Sequence, residues 1–584
     1  MKEHGSREQG NHRYRSRFMG DAQHLAVRSN GNSMGIVRLL AAVMMAALFA
    51  VAAAQGGGQA RNCEAAGGTA TIAQWSEPGN LNPLIFPTTY DTNIQELVFA
   101  RLIRPTETLT FEPDMAQSWE VSDDARTLTF ALRDGLTWHD GEALTAADVA
   151  FTFTSMADPA YPGGRFAEIS IIEGAQAYKD GTAESVSGIE VIDDRTISFT
   201  TTEPFAPFLP VIGGVFILPE HIYGAVDIAR WQEDATNREP LGSGPFVFEQ
   251  FRPGEFVEVS AFDNYWEGRP CLDRLIVRFG DQNTMLAALL SGELDAGPVP
   301  IDGAAGVEQN GDLELQVVDT LSFQYIGTNL RNPILADPSV RQAMAMGVNR
   351  KAMVDGLLQG YGSTLDSIFP TNHWSYPDDV TPIEYDPEAA AAILDQAGWT
   401  MDGQYRSKDG QELALRLFVP TGNQVRERTA PIIQANLRQL GIRIDIESMD
   451  FATLVTHLMP QDAQGTPRAV SVDDFDLFLL GFGIERDPNE YLSYLLSSDS
   501  PPNGFNFIGV DIPEVAELML EGRVTLDQDA RADIYQEVGR IMRDSLAWIP
   551  LYQSQDLYGV NARLSGFKPD VRGVNPNLAN WSVE

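Results

Sequence analysis

At 584 residues the chain is too long for one hydrophobic core and is expected to divide into three or four domains. A formal net charge of −40, with only five lysines, argues against a protein that neutralises nucleic-acid phosphates or docks on anionic lipid. Two cysteines, Cys63 and Cys271, allow one disulfide in an oxidising compartment; the alternatives are two unrelated thiols, or Cys63 as a lipid attachment point, which Ala60-Arg61-Asn62 suits poorly.

The amino end differs from the rest. Residues 1–33 are polar, carry Arg13, Arg15, Arg17 and Arg28, and have no apolar periodicity. Arg38 then precedes the apolar run Leu39–Ala54, which closes on Ala52-Ala53-Ala54. This is the layout of a cleaved secretory signal peptide, and the run is short for a membrane span of about 20 residues. Residues 1–54 are therefore read as extension and signal, with Met34 as an alternative start, and residues 55–62 as a flexible leader containing Gly56-Gly57-Gly58. Removal of residues 1–54, with seven Lys/Arg and three Asp/Glu, takes the net charge from −40 to −44, a heavily hydrated acidic surface.

Beyond the leader, Thr69–Trp75 alternates as a strand and Glu77-Pro78-Gly79-Asn80 turns it. Ile94–Leu102 is expected to be helical, with Ile94, Leu97, Val98 and Leu102 on one face. From Thr127 to Met156 each joint is specified. Leu128, Phe130 and Leu132 alternate as a strand, Asp134-Gly135 and Asp140-Gly141 are turns flanking a second strand, and Thr145 with Asp148 forms a helix capping box, stapled by Leu144 and Val149. Gly188–Phe199 reads as a hairpin about Asp193-Asp194, and Phe246–Phe251 and Phe256–Val259 as another about Arg252-Pro253-Gly254-Glu255. Leu275–Phe279 is a strand, and Thr284–Leu290 a helix stopped by Gly292.

Past residue 316 short strands (Phe323–Thr328, Leu413–Val419, Arg443–Ser448, Asp476–Leu480) alternate with helices at Asp337–Met344, Pro387–Ala397, Glu427–Leu440 and Ala530–Asp544. The pattern predicts a β-rich first half and an α/β second half with a largely parallel sheet.

Templates for catalysis are missing. There is no GxxxxGK[ST], GxSxG or HExxH, and Gly242-Ser243-Gly244-Pro245 leads into a strand and reads as a tight turn. Past the signal only His139, His221, His373 and His457 remain, none at metal-ligand spacing, so no catalytic residue, metal or cofactor is assigned. His139 is read as a packing residue.

Leu136-Thr137-Trp138-His139-Asp140-Gly141, followed by Thr145-Ala146-Ala147-Asp148-Val149, resembles a signature of the extracytoplasmic solute-binding proteins of peptide-type ABC importers, the oligopeptide- and dipeptide-binding family 5. Ala116–Phe153, Pro240–Arg278, Tyr325–Gly362 and Asp476–Leu492 are similar to that family in order and spacing. The resemblance implies an α/β, two-lobed periplasmic-binding-protein-like fold of three domains, with a β-rich first lobe and an α/β second lobe. The discontinuous first domain would comprise 63–100, 240–316 and 556–584, with a β-rich insert at 101–239, and 317–555 would form the second lobe. It also implies a non-enzymatic, monomeric protein outside the cytoplasmic membrane, in the periplasm or on the outer face. Such a protein captures a peptide, or another small solute such as an oligosaccharide or nickel chelate, for a permease whose ATPase lies on separate chains.

The site residues follow from the same resemblance. The loop Gly481-Phe482-Gly483-Ile484-Glu485-Arg486-Asp487 is similar to one whose aspartate pairs with a peptide ammonium, which puts Glu485, or its rival Asp487, in that role. Phe482 and Gly483 would line the site. Arg426 and Arg428, read as preceding a helix, are candidates for the ligand carboxylate, and Thr88, Thr89 and Tyr90 for a cleft-side loop.

Overall fold

The computed structural model describes residues 63, 66–85, 88–484 and 487–584; the expected signal and leader, and Glu485, lie outside the described residues. β1 (Thr69–Gln74) is followed by α1 (Thr89–Val98), which starts at a capping box: the Asp91 amide donates to the Thr88 hydroxyl and the Thr88 amide to the Asp91 carboxylate. The cap moves the helix forward from the expected Ile94–Leu102. Its backbone turns extended at Phe99, so Leu102 lies beyond it.

β2 (Ile103–Pro105) and β3 (Phe111–Pro113) form a short hairpin with Leu109 at its tip. β4 (Ala116–Val121), β5 (Thr127–Leu132), β6 (Ile189–Asp193) and β7 (Thr196–Thr200) make an antiparallel sheet in the order β4-β5-β7-β6. α2 (Ala146–Met156) carries the expected box between Thr145 and Asp148, and its staple residues Leu144 and Val149 are buried. The strand expected between the two turns is reduced to a single bridge, Thr137 to Ala143, because the polar Trp138–Glu142 segment closes on itself (Trp138 N–H to Glu142 O, 2.9 Å).

β8 (Phe246–Arg252) and β9 (Phe256–Ala261) form the expected hairpin, and Gly254 supplies its positive φ of 74°. β10 (Arg274–Phe279) continues the sheet and lies parallel to β1. α3 (Gln282–Leu290) leads to β11 (Ala296–Pro298) on the other edge of β1. Gly242 and Gly244 are glycines for a reason other than a turn. A Cβ on Gly242 would stand 2.0 Å from the Val98 carbonyl oxygen, and one on Gly244 2.7 Å from the Val98 carbonyl carbon, where the chain passes the end of α1. Cys63 and Cys271 are disulfide-bonded, their Cα atoms 5.6 Å apart.

β12 (Leu313–Thr328) is far longer than the strand expected at Phe323–Thr328. After it come α4 (Pro338–Gly347), β13 (Gly362–Thr364), α5 (Pro387–Gln396) and a small antiparallel sheet of β14 (Thr400–Asp402), β15 (Tyr405–Lys408) and β16 (Gln411–Glu412). β17 (Ala414–Pro420), α6 (Gln424–Gln439) and β18 (Arg443–Met449) form a crossover unit, joined by β19 (Leu477–Gly483). α7 (Pro513–Val524) and α8 (Gln528–Ser545) precede β20 (Trp548–Asn561), and β21 (Leu564–Ser565) pairs with β22 (Ser582–Val583).

One sheet unites the two lobes, in the order β18-β17-β19-β12-β20-β11-β1-β10-β9-β8, with β13 beside β20. In the second lobe it is mixed rather than largely parallel. β17 runs parallel to β18 and β19 through a helical crossover, whereas β12 is antiparallel to β19 and to β20. The strands β12 and β20 serve several cores in turn. Leu315 and Leu557 pack with Met285 and Leu289; Val318, Tyr558 and Val560 face the first-lobe core of Trp138 and Phe246. Phe323, Tyr325 and Trp548 join an aromatic core, and Ile326 and Ile549 the aliphatic core under α4 and α6.

Candidate ligand-binding cleft

Where β12 and β20 pass from one set of cores to the other, their pairing is irregular and their side chains polar. The register shifts between Asp319 and Phe323 and again between Gln324 and Tyr325. Gln553 is buried and fully used: its amide donates to Thr320 O at 2.5 Å and Asn372 Oδ1 at 2.9 Å, and its oxygen accepts from the Thr371 amide and hydroxyl at 3.0 and 3.1 Å. These bonds tie the loop after β13 to the crossing strands.

Arg426 lies inside α6, not ahead of it, because Asn423 caps the helix by accepting from the Arg426 amide at 2.9 Å. Its Nε donates to Gln324 Oε1 at 3.1 Å. A Cβ on Gly481 of β19 would stand 2.5 Å from Gln324 Nε2 and 3.3 Å from Arg426 Nη2, so the glycine leaves room for both. Burial lowers the pKa of Arg426, and it has no carboxylate partner among the described residues. Arg428, two positions on, is exposed.

Phe482 belongs to an aromatic wall. Its ring lies 4.7 Å from Tyr491, 4.9 Å from Tyr494 and 5.4 Å from Trp548, and Trp548 stacks on Tyr325 at 4.4 Å. Gly483 is exposed at the end of β19, opposite Ser322 of β12, and a Cβ there would meet the Ser322 hydroxyl at 2.8 Å.

Asp487 is occupied elsewhere. Arg531 of α8 holds it with two bonds, Nη1 to Oδ2 at 2.9 Å and Nη2 to Oδ1 at 2.8 Å, and both side chains are buried. The same carboxylate caps the turn Pro488–Tyr491. Asp487 therefore faces a protein guanidinium, which the sequence reading did not anticipate because its partner lies 44 positions away with no local pattern to mark it.

Thr88 is an exposed helix cap, and Thr89 and Tyr90 are the first turn of α1, not a loop. Asp91 holds that turn in place, since its other oxygen accepts from Gly79 at 2.5 Å and Asn80 at 3.0 Å. Tyr90 is half-buried, and its phenol is pushed up first by burial and then by the charge of Asp556 on β20.

Two contacts join the segment 101–239 to the chain past residue 316. The Ala206 amide donates to the Arg523 carbonyl at 2.7 Å, while the Arg523 guanidinium pairs with Glu203 at 3.3 Å and lies 5.3 Å from the Phe205 ring centre. Leu109, at the tip of the β2–β3 hairpin, is buried in the second-lobe aromatic core beside Leu321. Among the described residues no cluster of three His, Cys, Asp or Glu is placed to hold a metal, and no helix is long and apolar enough to cross a membrane.

The model of the bacterial extracellular solute-binding proteins, family 5, matches residues 110–503. The chain belongs to this family. It is similar to the oligopeptide-binding protein AppA of Bacillus subtilis, 27% identical over 522 residues that cover 88% of this chain and 91% of that protein. It is 28% identical to the dipeptide-binding protein of Escherichia coli over 541 residues, 88% and 95% of the two chains. The structure of AppA with a nonapeptide superposes with a TM-score of 0.72 at 26% identity, covering 89% of this chain and 99% of that one. NikZ of Campylobacter jejuni, solved with Ni(L-His), shares the fold at a TM-score of 0.72 and 23% identity over 88% and 99% of the chains. The α/β, two-lobed reading and the solute-binding role agree with this family, and the Trp138-His139-Asp140 motif serves its fold. The His139 ring bonds Gly244 O at 3.0 Å, and Trp138 is wholly buried.

Proposed function

We propose that the protein binds peptides in the cleft between its lobes and delivers them to a membrane permease. It acts as a non-catalytic monomer in the periplasm or on the outer face of the cytoplasmic membrane, with ATP hydrolysis on other chains. The observation that carries this reading is Arg426. A half-buried guanidinium held by Gln324, beside an aromatic wall and without a carboxylate partner among the described residues, is suited to a ligand carboxylate. Peptide main chain would add strand-like hydrogen bonds, and water would adapt the side-chain pockets.

In this reading Phe482 walls a side-chain pocket, Gly483 lets the ligand backbone approach, and the first turn of α1, Thr88 to Tyr90, faces the opposite side. Glu485 is assigned the peptide ammonium, with Asp487 left to Arg531; Arg428 is a weaker candidate than Arg426 because it is exposed. The first domain comprises 63–100, 240–316 and 556–584, the insert 101–239, and the second lobe 317–555.

Native mass spectrometry of the protein lacking residues 1–54, followed by titration with mixed peptides, tests the reading. Co-purified or added peptide bound one to one is expected. A carbohydrate or metal chelate in the cleft, with no peptide binding, would overturn it.

A further inference from the structure

The β2–β3 hairpin starts in one core and ends in another. Ile103, at its base, is buried in the core of Trp138 and Phe246. Leu109, at its tip, is 7% exposed in the aromatic core, whose other buried members among the described residues all lie between Leu321 and Trp548. The base is braced on its own side. Arg104 pairs with Glu112 across the hairpin at 2.7 Å and with Glu267, ahead of β10, at 2.8 Å, while the Arg572 guanidinium donates to Pro105 O at 3.2 Å. Val571, the neighbour of Arg572, packs against the same aromatic core as Leu109.

Local preference does not account for a leucine at this tip. Leu109 has a positive φ of 59°, which glycine or asparagine adopts at less cost. Backbone bonds close the turn without its side chain: the Leu109 amide donates to Thr106 O at 2.9 Å, and the Thr106 amide to Thr110 O at 2.7 Å. What leucine adds is apolar surface removed from water. The core that receives it adjoins the candidate cleft. Leu321 falls inside the register shift between Asp319 and Phe323, and its carbonyl accepts from the Ile484 amide at 3.2 Å, next to Gly483. Drawing the hairpin away would expose Leu109 and leave a hole in that core, so its side chain favours the joined arrangement.

We propose that the hairpin is a latch, with Leu109 as the positioning residue that holds the cleft shut over a ligand and sets how fast it reopens. The proposal rests on the peptide reading and domain bounds above, by which the hairpin and the aromatic core belong to different lobes. Closure of such a cleft is a hinge motion, and an apolar contact made only in the closed state shifts the equilibrium towards closure. The contact has to break before a ligand leaves, so it acts on release more than on capture.

Leu109→Gly and Leu109→Asn both suit the left-handed turn and remove the apolar side chain, which separates a latch from a turn residue. Stopped-flow tryptophan fluorescence of the protein lacking residues 1–54, with a series of short alanine and glycine peptides, measures the rates. Both variants should release peptide at least about tenfold faster, with association no slower. Small-angle scattering without ligand should show a larger radius of gyration in both variants, restored to the wild-type value by saturating peptide. A residue that only shapes the turn would not produce that reversible change. Release within about twofold of wild type in both variants, or unchanged scattering, would overturn the latch and leave the peptide reading standing. If no peptide binds the wild type, the peptide reading falls and the ligand-free scattering decides the latch.

Discussion

Arg531 and Asp487 meet in a two-bonded ion pair at 2.8 and 2.9 Å, with 5% and 6% of their side chains exposed. The pair fixes the turn after β19 to α8, so the chain just past Phe482 and Gly483 is anchored. Trp374 and Tyr535 complete the enclosure, their rings 5.4 and 5.3 Å from the guanidinium. Removing one partner strands the other charge in a low-dielectric site. Asp487→Asn should therefore lower unfolding stability by about 3–5 kcal/mol, as read by urea denaturation. A loss below about 1 kcal/mol would mean that the pair is solvated.

Arg426 is the corresponding charge without a carboxylate partner among the described residues. Arg426→Gln should weaken peptide binding by tenfold or more, the loss of a charge-assisted bond of about 1.5–3 kcal/mol. Arg428→Ala should leave affinity within twofold. Equal effects of the two substitutions in calorimetry would remove Arg426 from the site.

Burial lowers the pKa of His139 to about 4, partly opposed by its bond to Gly244 and by Asp140. Because the folded-state pKa lies below the unfolded value, the unfolded chain takes up the proton first. The contribution of neutral His139 is complete above about pH 6.5 and is lost as the pH falls towards 4. His139→Gln keeps a donor towards Gly244 without titrating. Its melting temperature should fall less than that of wild type between pH 6.5 and 4, in paired scanning calorimetry. Asp114, whose carboxyl burial pushes up to about 6, acts with the opposite sign and is common to both proteins. Parallel pH profiles would show that His139 is solvated.

Gly242→Ala should destabilise the first lobe by about 2–4 kcal/mol, because the new methyl would overlap the Val98 carbonyl and neither backbone can yield cheaply. Gly254→Ala, with open space around a positive φ of 74°, should cost about 1 kcal/mol through backbone strain alone. Denaturant midpoints of the two variants separate the mechanisms.

The Arg523 contact with Glu203 and Phe205 joins residues more than three hundred positions apart, which the proposed domain bounds put in different lobes. Arg523→Ala should raise the peptide dissociation rate a few-fold, in keeping with about 0.5–1 kcal/mol for a partly exposed cation–ring contact, with little change in the association rate. Stopped-flow kinetics would measure both.

Much of this architecture is legible where the physics is local. The Thr145–Asp148 capping box, the Asp193-Asp194 hairpin and the glycine-ended helices need only neighbours in sequence, and the structure has them. α1 starts earlier than its apolar face suggests, because the Thr88–Asp91 capping box sets its first turn. β12 is longer than its expected strand, and β20 is not marked in the sequence as a strand, for a different reason. Each passes over several cores in turn, so no single alternation runs along its length. The cleft was legible only in part, because Gln324 and Gln553 gain their meaning from contacts between segments far apart in sequence.

β1 takes its parallel partner from β10, and β11 beside it pairs with β20; a Cβ on Gly68 would touch Val583 at 2.5 Å. The lobe begun by the earliest strand is thus finished by some of the last residues. During synthesis β1 emerges well before its last partners, and that strand has to wait for nearly five hundred residues before its sheet can close. Assembly of the first lobe is therefore a late event. Loss of the final strands would deprive the lobe of its closing partners instead of trimming its surface, and would leave a long-lived unpaired edge exposed to aggregation.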